Sequence, residues 1–266
     1  MEPATGSRKS PLGTWLGCGC GSLVALLLLA AVAVTFWTYN TGKDFRAGFR
    51  DPKRRAEKTR EVLAYRDLPA GYYPGGSLSI PFLMKIAFLT DQEHPPDRTA
   101  SGLEASAFLH KGFIFIDQHN VHPKAGQADL RSGLRAYLTG TGPRPAWMGR
   151  SNMELDVREI LFRGTVKPSP AGGPPVFYAA TRGRFVDIRQ ERREGLATLL
   201  CVECPGDDRV RYGIWFAPDP DPGKPAGAPE FAGTPADPAA IVEFLHHFEF
   251  CPGNAGNAGN AGNAGK

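Results

Sequence analysis

The sequence predicts an α+β domain, built on a mainly antiparallel sheet with two or three packed helices and preceded by one transmembrane helix. Three observations lead to this class. Apolar residues alternate in several consecutive segments separated by short turns, which is typical of neighbouring antiparallel strands. Two Asp-Pro pairs are each followed by a helix-forming segment. An uncharged, largely apolar run lies between Lys9 and Lys43, and a membrane-spanning helix needs about 20 such residues.

The anchor is predicted at residues 16–39, behind a short N-terminal tail of residues 1–15. Residues 23–34 are wholly apolar, and aromatic side chains stand near both ends of the run, as in the belts of membrane helices. The main alternative is a cleaved signal peptide, with its cleavage site at the Ala-Val-Ala of residues 31–33. Because the apolar run continues to Trp37, the sequence favours an uncleaved anchor that contacts membrane lipid.

Cys18 and Cys20 stand at the start of this run. A bacterial lipoprotein carries its cysteine after the apolar core, whereas these two precede it. No other cysteine or histidine stands near them in the sequence to complete a metal site. We therefore interpret them as small residues at the end of the membrane helix, where small side chains are common.

The charge distribution leaves the orientation of the anchor open. Residues 43–66 hold nine basic and four acidic residues, and the positive-inside rule places such a segment in the cytoplasm. Long domains, however, cross the membrane largely regardless of their charge. The sequence thus predicts a single-pass protein of the cell (inner) membrane. It leaves open whether the domain lies on the cytoplasmic or the extracytoplasmic side.

The globular part of the chain is not basic. The chain has a formal net charge of +4, of which residues 1–66 carry +6, so the remainder is slightly acidic at −2. This excludes the electrostatic footprint of a nucleic-acid-binding domain. The expected partners are membrane lipid, through the anchor, and an unknown protein or envelope component.

The first predicted helix lies in the basic juxtamembrane segment, residues 40–66. Asp51 and Pro52 are typical of an N-cap and a first helical position, and the helix is expected to end near Tyr65. The globular domain is predicted at residues 67–252. Its first strand follows from the alternation between positions 78 and 88, in which Pro81 indicates an edge position or a break.

The remaining elements follow from the same criteria. Residues 107–117 predict a strand pair or one bent strand around Gly112, and residues 127–139 predict a helix closed by Gly140. Asp237 and Pro238 predict the start of the last helix, whose apolar residues recur at helical spacing. Alternating or apolar segments predict four more strands, at residues 153–166, 176–190, 196–204 and 209–218. The Gly-Asn-Ala repeat of residues 253–266 cannot form a core and is predicted to be disordered.

Three segments carry a resemblance to a known group. They are LPAGYYP at residues 68–74, SLSIPFLMKIAFLTD at residues 77–91 and GFIFI at residues 112–116. Over residues 50–250 the chain resembles uncharacterised bacterial single-pass membrane proteins with an "LPxGY" start and a PsbP-like α+β domain. The resemblance implies a non-enzymatic, extracytoplasmic domain, and it implies no catalytic residue.

One candidate metal site combines Cys201 and Cys204 with His247 and Cys251. The spacings are C-x2-C and H-x3-C, and four such ligands hold Zn²⁺ tetrahedrally. Zinc is the one cofactor that the sequence suggests. Two alternatives stay open: Cys251 forms a disulfide with Cys201 or Cys204, or the three cysteines are inert thiols of the core.

A second candidate site consists of Asp117, His119 and His122, at the predicted end of a strand. These side chains are able to bind a metal ion or to act as acid and base. The alternative is a solvated polar loop, since His122 precedes a proline. The sequence contains no nucleophile elbow, phosphate-binding loop or dinucleotide fingerprint.

The sequence thus favours a membrane-anchored domain that binds a ligand or partner without catalysis. Two alternatives belong to other functional classes. A metal-dependent hydrolase would use His119, His122 and a neighbouring carboxylate, and a purely structural tether would need no binding site.

Overall fold

The computed structural model describes residues 51–93, 110–120, 129–145, 155–167, 174–186, 192–222, 224 and 231–251. The described residues all belong to one compact unit, residues 46–266. The predicted anchor and the predicted C-terminal tail lie outside the described residues. Within the described part, each helix is too short or too polar to cross a bilayer.

The described residues form three helices and nine strands. The helices are α1 (Pro52–Val62), α2 (Leu130–Thr139) and α3 (Pro238–His246). The strands are β1 (Ala64–Tyr65), β2 (Tyr73–Ile80), β3 (Met84–Thr90), β4 (Gly112–His119), β5 (Leu155–Val166), β6 (Val176–Val186), β7 (Arg192–Val202), β8 (Arg209–Pro218) and β9 (Phe248–Glu249). The predicted α+β domain with a mainly antiparallel sheet is confirmed, and the transmembrane helix stays a prediction.

Seven strands form one sheet in the order β2-β3-β4-β8-β7-β6-β5, and each described pairing is antiparallel. β4 and β8 are neighbours in the sheet although they are distant in the chain. A separate two-stranded ribbon joins β1 to β9. The ribbon therefore places the beginning and the end of the described domain side by side.

The predicted caps begin and end the helices. Asp51 accepts a hydrogen bond from the Lys53 amide, and Asp237 accepts one from the Ala239 amide. Gly140 closes α2 in the left-handed conformation, with φ at 81°. Helix α1 ends at Val62 rather than near Tyr65, because residues 64–65 pair with β9. It also packs on the sheet, so it belongs to the same compact unit as the domain.

The alternation between residues 78 and 88 spans two strands. The chain turns at residues 81–83, and β2 and β3 form a hairpin whose closing pair is Ile80 with Met84. Pro81 has no amide hydrogen to donate to a ladder, so the strand breaks there. The predicted break and the predicted edge position of β2 are both confirmed.

Alternate residues of each strand point to opposite sides of the seven-stranded sheet. Both faces carry apolar side chains, and helices cover both. On the face we call the aromatic face, α3 and the end of α1 pack on the sheet, and the Trp215 and Phe244 rings stack with centroids 4.2 Å apart. On the face we call the α2 face, Leu134, Tyr137 and Leu138 pack against Leu199 and its neighbours. The aromatic face also holds the rings of Tyr72, Phe113, Phe115, Tyr178, Phe248 and Phe250.

Several turns meet at one end of the sheet, which we call the hairpin end. The His119 amide donates to the Leu83 carbonyl at 3.2 Å, and the Asn120 amide donates to the Asp208 carbonyl at 3.1 Å. Asn120 Oδ1 accepts a hydrogen bond from the amide of Arg131, at the start of α2. The β2–β3 turn, the end of β4, the β7–β8 turn and the start of α2 therefore lie together.

The chain enters the domain at the opposite end of the sheet. Arg55, in the first turn of α1, donates from Nη2 to the carbonyl of Glu93 at 2.7 Å. Glu93 follows β3, whose other end belongs to the hairpin turn. Asp51 is thus separated from the β2–β3 turn by the length of the hairpin, about 25 Å for eight residues.

Candidate functional site

Two of the predicted site residues, Asp117 and His119, lie on the aromatic face at the hairpin end. Asp117 Oδ1 accepts a hydrogen bond from Arg209 Nε at 2.6 Å, and its Oδ2 lies 3.6 Å from Arg211 Nε. The Asp117 side chain is only 13% exposed. Its carboxylate is therefore held by two guanidinium groups rather than left free to act on a ligand.

Arg211 is the most buried member of this charged group. Its Nη2 lies 2.7 Å from Asp207 Oδ2, and its Nη1 has no hydrogen-bond partner in the described residues. Partial burial alone would raise the pKa of Asp207. Hydrogen bonds from the Arg209 amide and the Arg211 side chain, and the charges of both arginines, outweigh burial and lower that pKa. Asp207 is thus held as the carboxylate that balances Arg211.

His119 is also engaged. Its Nε2 lies 3.0 Å from Arg209 Nη1, and its Nδ1 lies 3.8 Å from Asp208 Oδ2. An arginine can only donate, so Nε2 accepts and its lone pair is occupied. His122, the third predicted residue, lies outside the described residues. The structure thus brings Asp117 and His119 together, in a salt-bridge cluster with arginine.

The predicted zinc ligands do not assemble into one site. Cys204 forms a disulfide with Cys251, with Cα atoms 5.7 Å apart. Cys201 is a free thiol on the α2 face, whereas Cys204 packs with the aromatic face. His247 Nδ1 lies 3.1 Å from Asp67 Oδ2. Among the described residues, no group of three or more histidine, cysteine or acidic side chains is placed to hold a metal ion.

The structure thus selects the disulfide alternative, with Cys204 as the partner of Cys251. Cys201 is an inert thiol of the core, which is the other alternative that the sequence left open. Burial, reinforced by the charge of Glu203, raises the pKa of the Cys201 thiol to about 12. A thiol with such a pKa is a poor nucleophile and a poor metal ligand at neutral pH, because both roles require the thiolate.

A cleft of about 410 Å³ opens at the hairpin end, between α2 and the β7–β8 turn. Helix α2 contributes two arginines and a serine to one wall, and the turn after β7 contributes the other wall together with Pro175. The lining residues are Arg131, Ser132, Arg135, Pro175, Glu203, Cys204, Pro205 and Gly206. The disulfide therefore anchors one wall of the cleft to the C-terminal segment of the domain.

The two arginines of the cleft are held in different ways. Arg131 Nη2 donates to the carbonyls of Asp207 and Arg209, at 2.5 and 2.9 Å. The guanidinium of Arg135 lies over the Phe177 ring, 4.9 Å from its centroid. Both carboxylate oxygens of Glu203 lie 3.4 Å from Arg135 Nη1. The cleft thus presents two positive groups and one negative group.

The β2–β3 turn is the most exposed apolar feature of the described chain. Phe82 is 97% exposed, Leu83 is 47% exposed and Ile80 is 39% exposed. Phe82 also has φ at 61°, in the left-handed region that side chains other than Gly rarely adopt. We call Ile80, Pro81, Phe82 and Leu83 the hairpin tip.

The sequence predicted an edge position or a break at Pro81, but it did not predict an exposed apolar turn. A signal was available, because turns are normally built from Gly, Asn, Asp, Ser and Pro. The tetrapeptide Ile-Pro-Phe-Leu carries a strand-breaking proline among large apolar residues. Such a combination indicates an apolar turn rather than a continuous strand.

Comparison with known proteins adds no relative. No protein-family model, no curated protein and no solved structure matches this chain.

Proposed function

We propose that this protein is a single-pass membrane-anchored domain that binds a partner protein through the hairpin tip, without catalysis. The observation that carries the proposal is the exposure of Phe82, together with its neighbours Ile80 and Leu83. A single exposed apolar residue is ordinary on a protein surface. Three large apolar side chains at one turn are not, and clustered exposed apolar residues mark interaction sites.

The backbone supports this interpretation. A left-handed residue other than Gly costs about 1–2 kcal/mol, and Phe82 adopts that conformation while its ring contributes little burial to the fold. Within the domain, burial of the Phe82 ring therefore does not offset the free-energy cost of its left-handed backbone conformation. A partner that buries the ring would supply the compensation, since burying a Phe side chain is worth about 1.5–3 kcal/mol.

The salt-bridge cluster supports a non-catalytic role. A general base or metal ligand needs a free lone pair within reach of its substrate. Asp117 and His119 instead accept hydrogen bonds from Arg209. The group that the sequence offered for acid–base chemistry thus contributes to the structure of the hairpin end.

The disulfide supports an extracytoplasmic location for the domain. Disulfides form and persist in oxidising compartments, and they are rare in the cytoplasm. The bond between Cys204 and Cys251 joins residues 47 positions apart. With the anchor in the cell (inner) membrane, we therefore place the domain on the outer side, the orientation that the resemblance to "LPxGY" proteins also implies.

Site-specific photo-crosslinking tests the proposal. The full-length chain carries p-benzoylphenylalanine in place of Phe82 in intact cells, and a second chain carries it in place of Arg54. The Arg54 side chain is 61% exposed and lies in α1, at the opposite end of the sheet. We expect position 82 to give an adduct with a distinct protein, identified by mass spectrometry, and position 54 to give none.

A further variant separates binding from folding. Phe82→Gly removes the ring, and glycine adopts a positive φ at little cost. We expect this variant to retain the wild-type stability within about 1 kcal/mol and to lose the partner in co-purification. The proposal of a separate protein partner would be overturned if position 82 formed no adduct, or formed adducts only with lipid or with a second copy of this chain.

A further inference from the structure

We propose that the cleft between α2 and the β7–β8 turn binds a small oxyanion, a carboxylate or phosphate group of a ligand that also carries a hydrogen-bond donor. This goes beyond the proposed function, because the cleft and the hairpin tip share no residue. A cleft of about 410 Å³ falls in the range of small-molecule sites, about 300–1,000 Å³. Its charged residues indicate the class of ligand.

Arg131 is preorganised for this role. Two carbonyl oxygens hold its Nη2, so the plane of the guanidinium is fixed before a ligand arrives. Within the described part of the chain, both hydrogen bonds of the Arg131 guanidinium come from Nη2, so Nε and Nη1 face no protein acceptor there. Arginine presents a planar set of donors that matches the two oxygens of a carboxylate or phosphate.

Arg135 supplies the second positive group. Phe177 supports the guanidinium from below, which limits its movement without using its hydrogen-bond donors. Its pairing with Glu203 is long, at 3.4 Å to each oxygen, and the Arg135 side chain is 53% exposed. A long, partly exposed ion pair is weak, so a ligand oxyanion is able to compete for the guanidinium.

Glu203 determines which oxyanions fit. Its carboxylate lines the same cleft and would repel a bare anion. A ligand that places a hydroxyl or amine near Glu203 converts that repulsion into a hydrogen bond. We therefore expect a hydroxy acid or a phosphate ester with a free hydroxyl to bind more tightly than inorganic phosphate.

The start of helix α2 does not supply the site. Asp129 Oδ1 already accepts from the Ser132 amide at 2.7 Å, and Asn120 Oδ1 accepts from the Arg131 amide. The Gly133 amide donates to the Asp129 carbonyl. These three amide donors of the first turn are engaged, so the site depends on the two guanidinium groups and the shape of the cleft.

Equilibrium dialysis of the full-length protein in detergent micelles tests the proposal. The probes are radiolabelled inorganic phosphate and radiolabelled glycerol 3-phosphate, and unlabelled citrate serves as a competing carboxylate. We expect saturable 1:1 binding with Kd at or below about 1 mM, tighter for glycerol 3-phosphate than for phosphate. Competition by citrate would place carboxylates in the same site, and its failure would restrict the ligand to phosphates.

Matched variants locate the binding. Arg135→Gln should weaken glycerol 3-phosphate binding at least tenfold, whereas Arg54→Gln, an exposed arginine on α1, should leave it unchanged. Glu203→Gln should strengthen the binding of inorganic phosphate several-fold. It should therefore reduce the difference in affinity between glycerol 3-phosphate and inorganic phosphate. Arg135→Gln replaces an exposed side chain, so its fold can be verified by an unchanged circular dichroism spectrum.

The outcomes separate this inference from the proposed partner. Absence of saturable binding to the wild-type protein would overturn the inference, and so would equal binding by Arg135→Gln. Phe82→Gly should bind the probes normally, because the hairpin tip does not line the cleft. If anions bind normally but no crosslinked partner is found, the proposed function is refuted and the anion site stands.

Discussion

The two faces of the sheet are covered by helices of similar length, yet they are built differently. The aromatic face packs the rings of Phe113, Trp215 and Phe244 against one another, and the disulfide and the β1–β9 ribbon lie beside it. The α2 face packs Leu134 and Leu138 on mainly aliphatic strand residues, and among the described residues it holds no cross-link. The difference indicates that the aromatic face supplies most of the stability, while the helix on the other face positions the cleft.

The first prediction compares one side chain from each face. Phe244→Ala removes a buried ring that contacts Tyr72, Phe113, Trp215 and Phe248, and we expect it to lower the free energy of unfolding by about 4 kcal/mol. Leu138→Ala on the α2 face should cost about 3 kcal/mol, since the side chain is smaller. Urea denaturation of the full-length protein in micelles, followed by circular dichroism, measures both. A larger loss for Leu138→Ala would reverse the assignment of the two faces.

The second prediction concerns two cysteines that lie close in sequence but on different faces. Cys204→Ser combined with Cys251→Ser removes the disulfide and should cost about 3 kcal/mol. Cys201→Ala, the matched control on the α2 face, should cost about 1 kcal/mol, because it removes only one buried sulfur atom. The same urea titration compares them. Equal losses would show that the disulfide adds nothing to the aromatic face beyond ordinary packing.

The third and smallest effect concerns the charged end of the aromatic face. The pKa of Asp207 is lowered in the folded protein, so its carboxylate stabilises the fold above the unfolded pKa, about 3.9. That contribution is lost as the pH falls through the lower folded pKa. Asp207→Asn should therefore be less stable than wild type at pH 7, and this difference should shrink as the pH falls below about 3.9. A stability difference independent of pH would show that the Asp207 charge is not the cause.

Local signals in the sequence predicted the starts of α1 and α3 and most of the strands, whereas α2 begins at Leu130 rather than at residue 127. Asp51 and Asp237 cap α1 and α3 as expected, because a cap needs only a side chain and the amides that follow it. Gly140 ends α2 for the same reason: a left-handed residue is a local requirement. These are properties of a few consecutive residues, and they do not depend on the rest of the chain.

The sites could not be predicted in the same way, because they depend on distant residues. Cys251 pairs with Cys204 rather than Cys201 because the segment after α3 lies on the aromatic face. Cys204 packs on that face, whereas Cys201 points to the other side of the sheet. The capture of Asp117 by Arg209 requires that β4 and β8 pair, which no local pattern indicates. The cleft requires α2 and the β7–β8 turn to meet, and only the assembled sheet brings them together.

The disulfide also has a mechanical consequence. Cys204 lies beside the end of β7 and Cys251 is the last described residue, so a pulling force applied through the C-terminus reaches the sheet at Cys204. The 46 residues between the two cysteines, including β8 and α3, lie outside the loaded path and cannot be extended. At about 3.4 Å per residue, the bond shortens the reach of the fully stretched chain by roughly 150 Å. A partner that pulled on an anchored protein would meet a domain whose central strand β8 and closing helix α3 are shielded from the force.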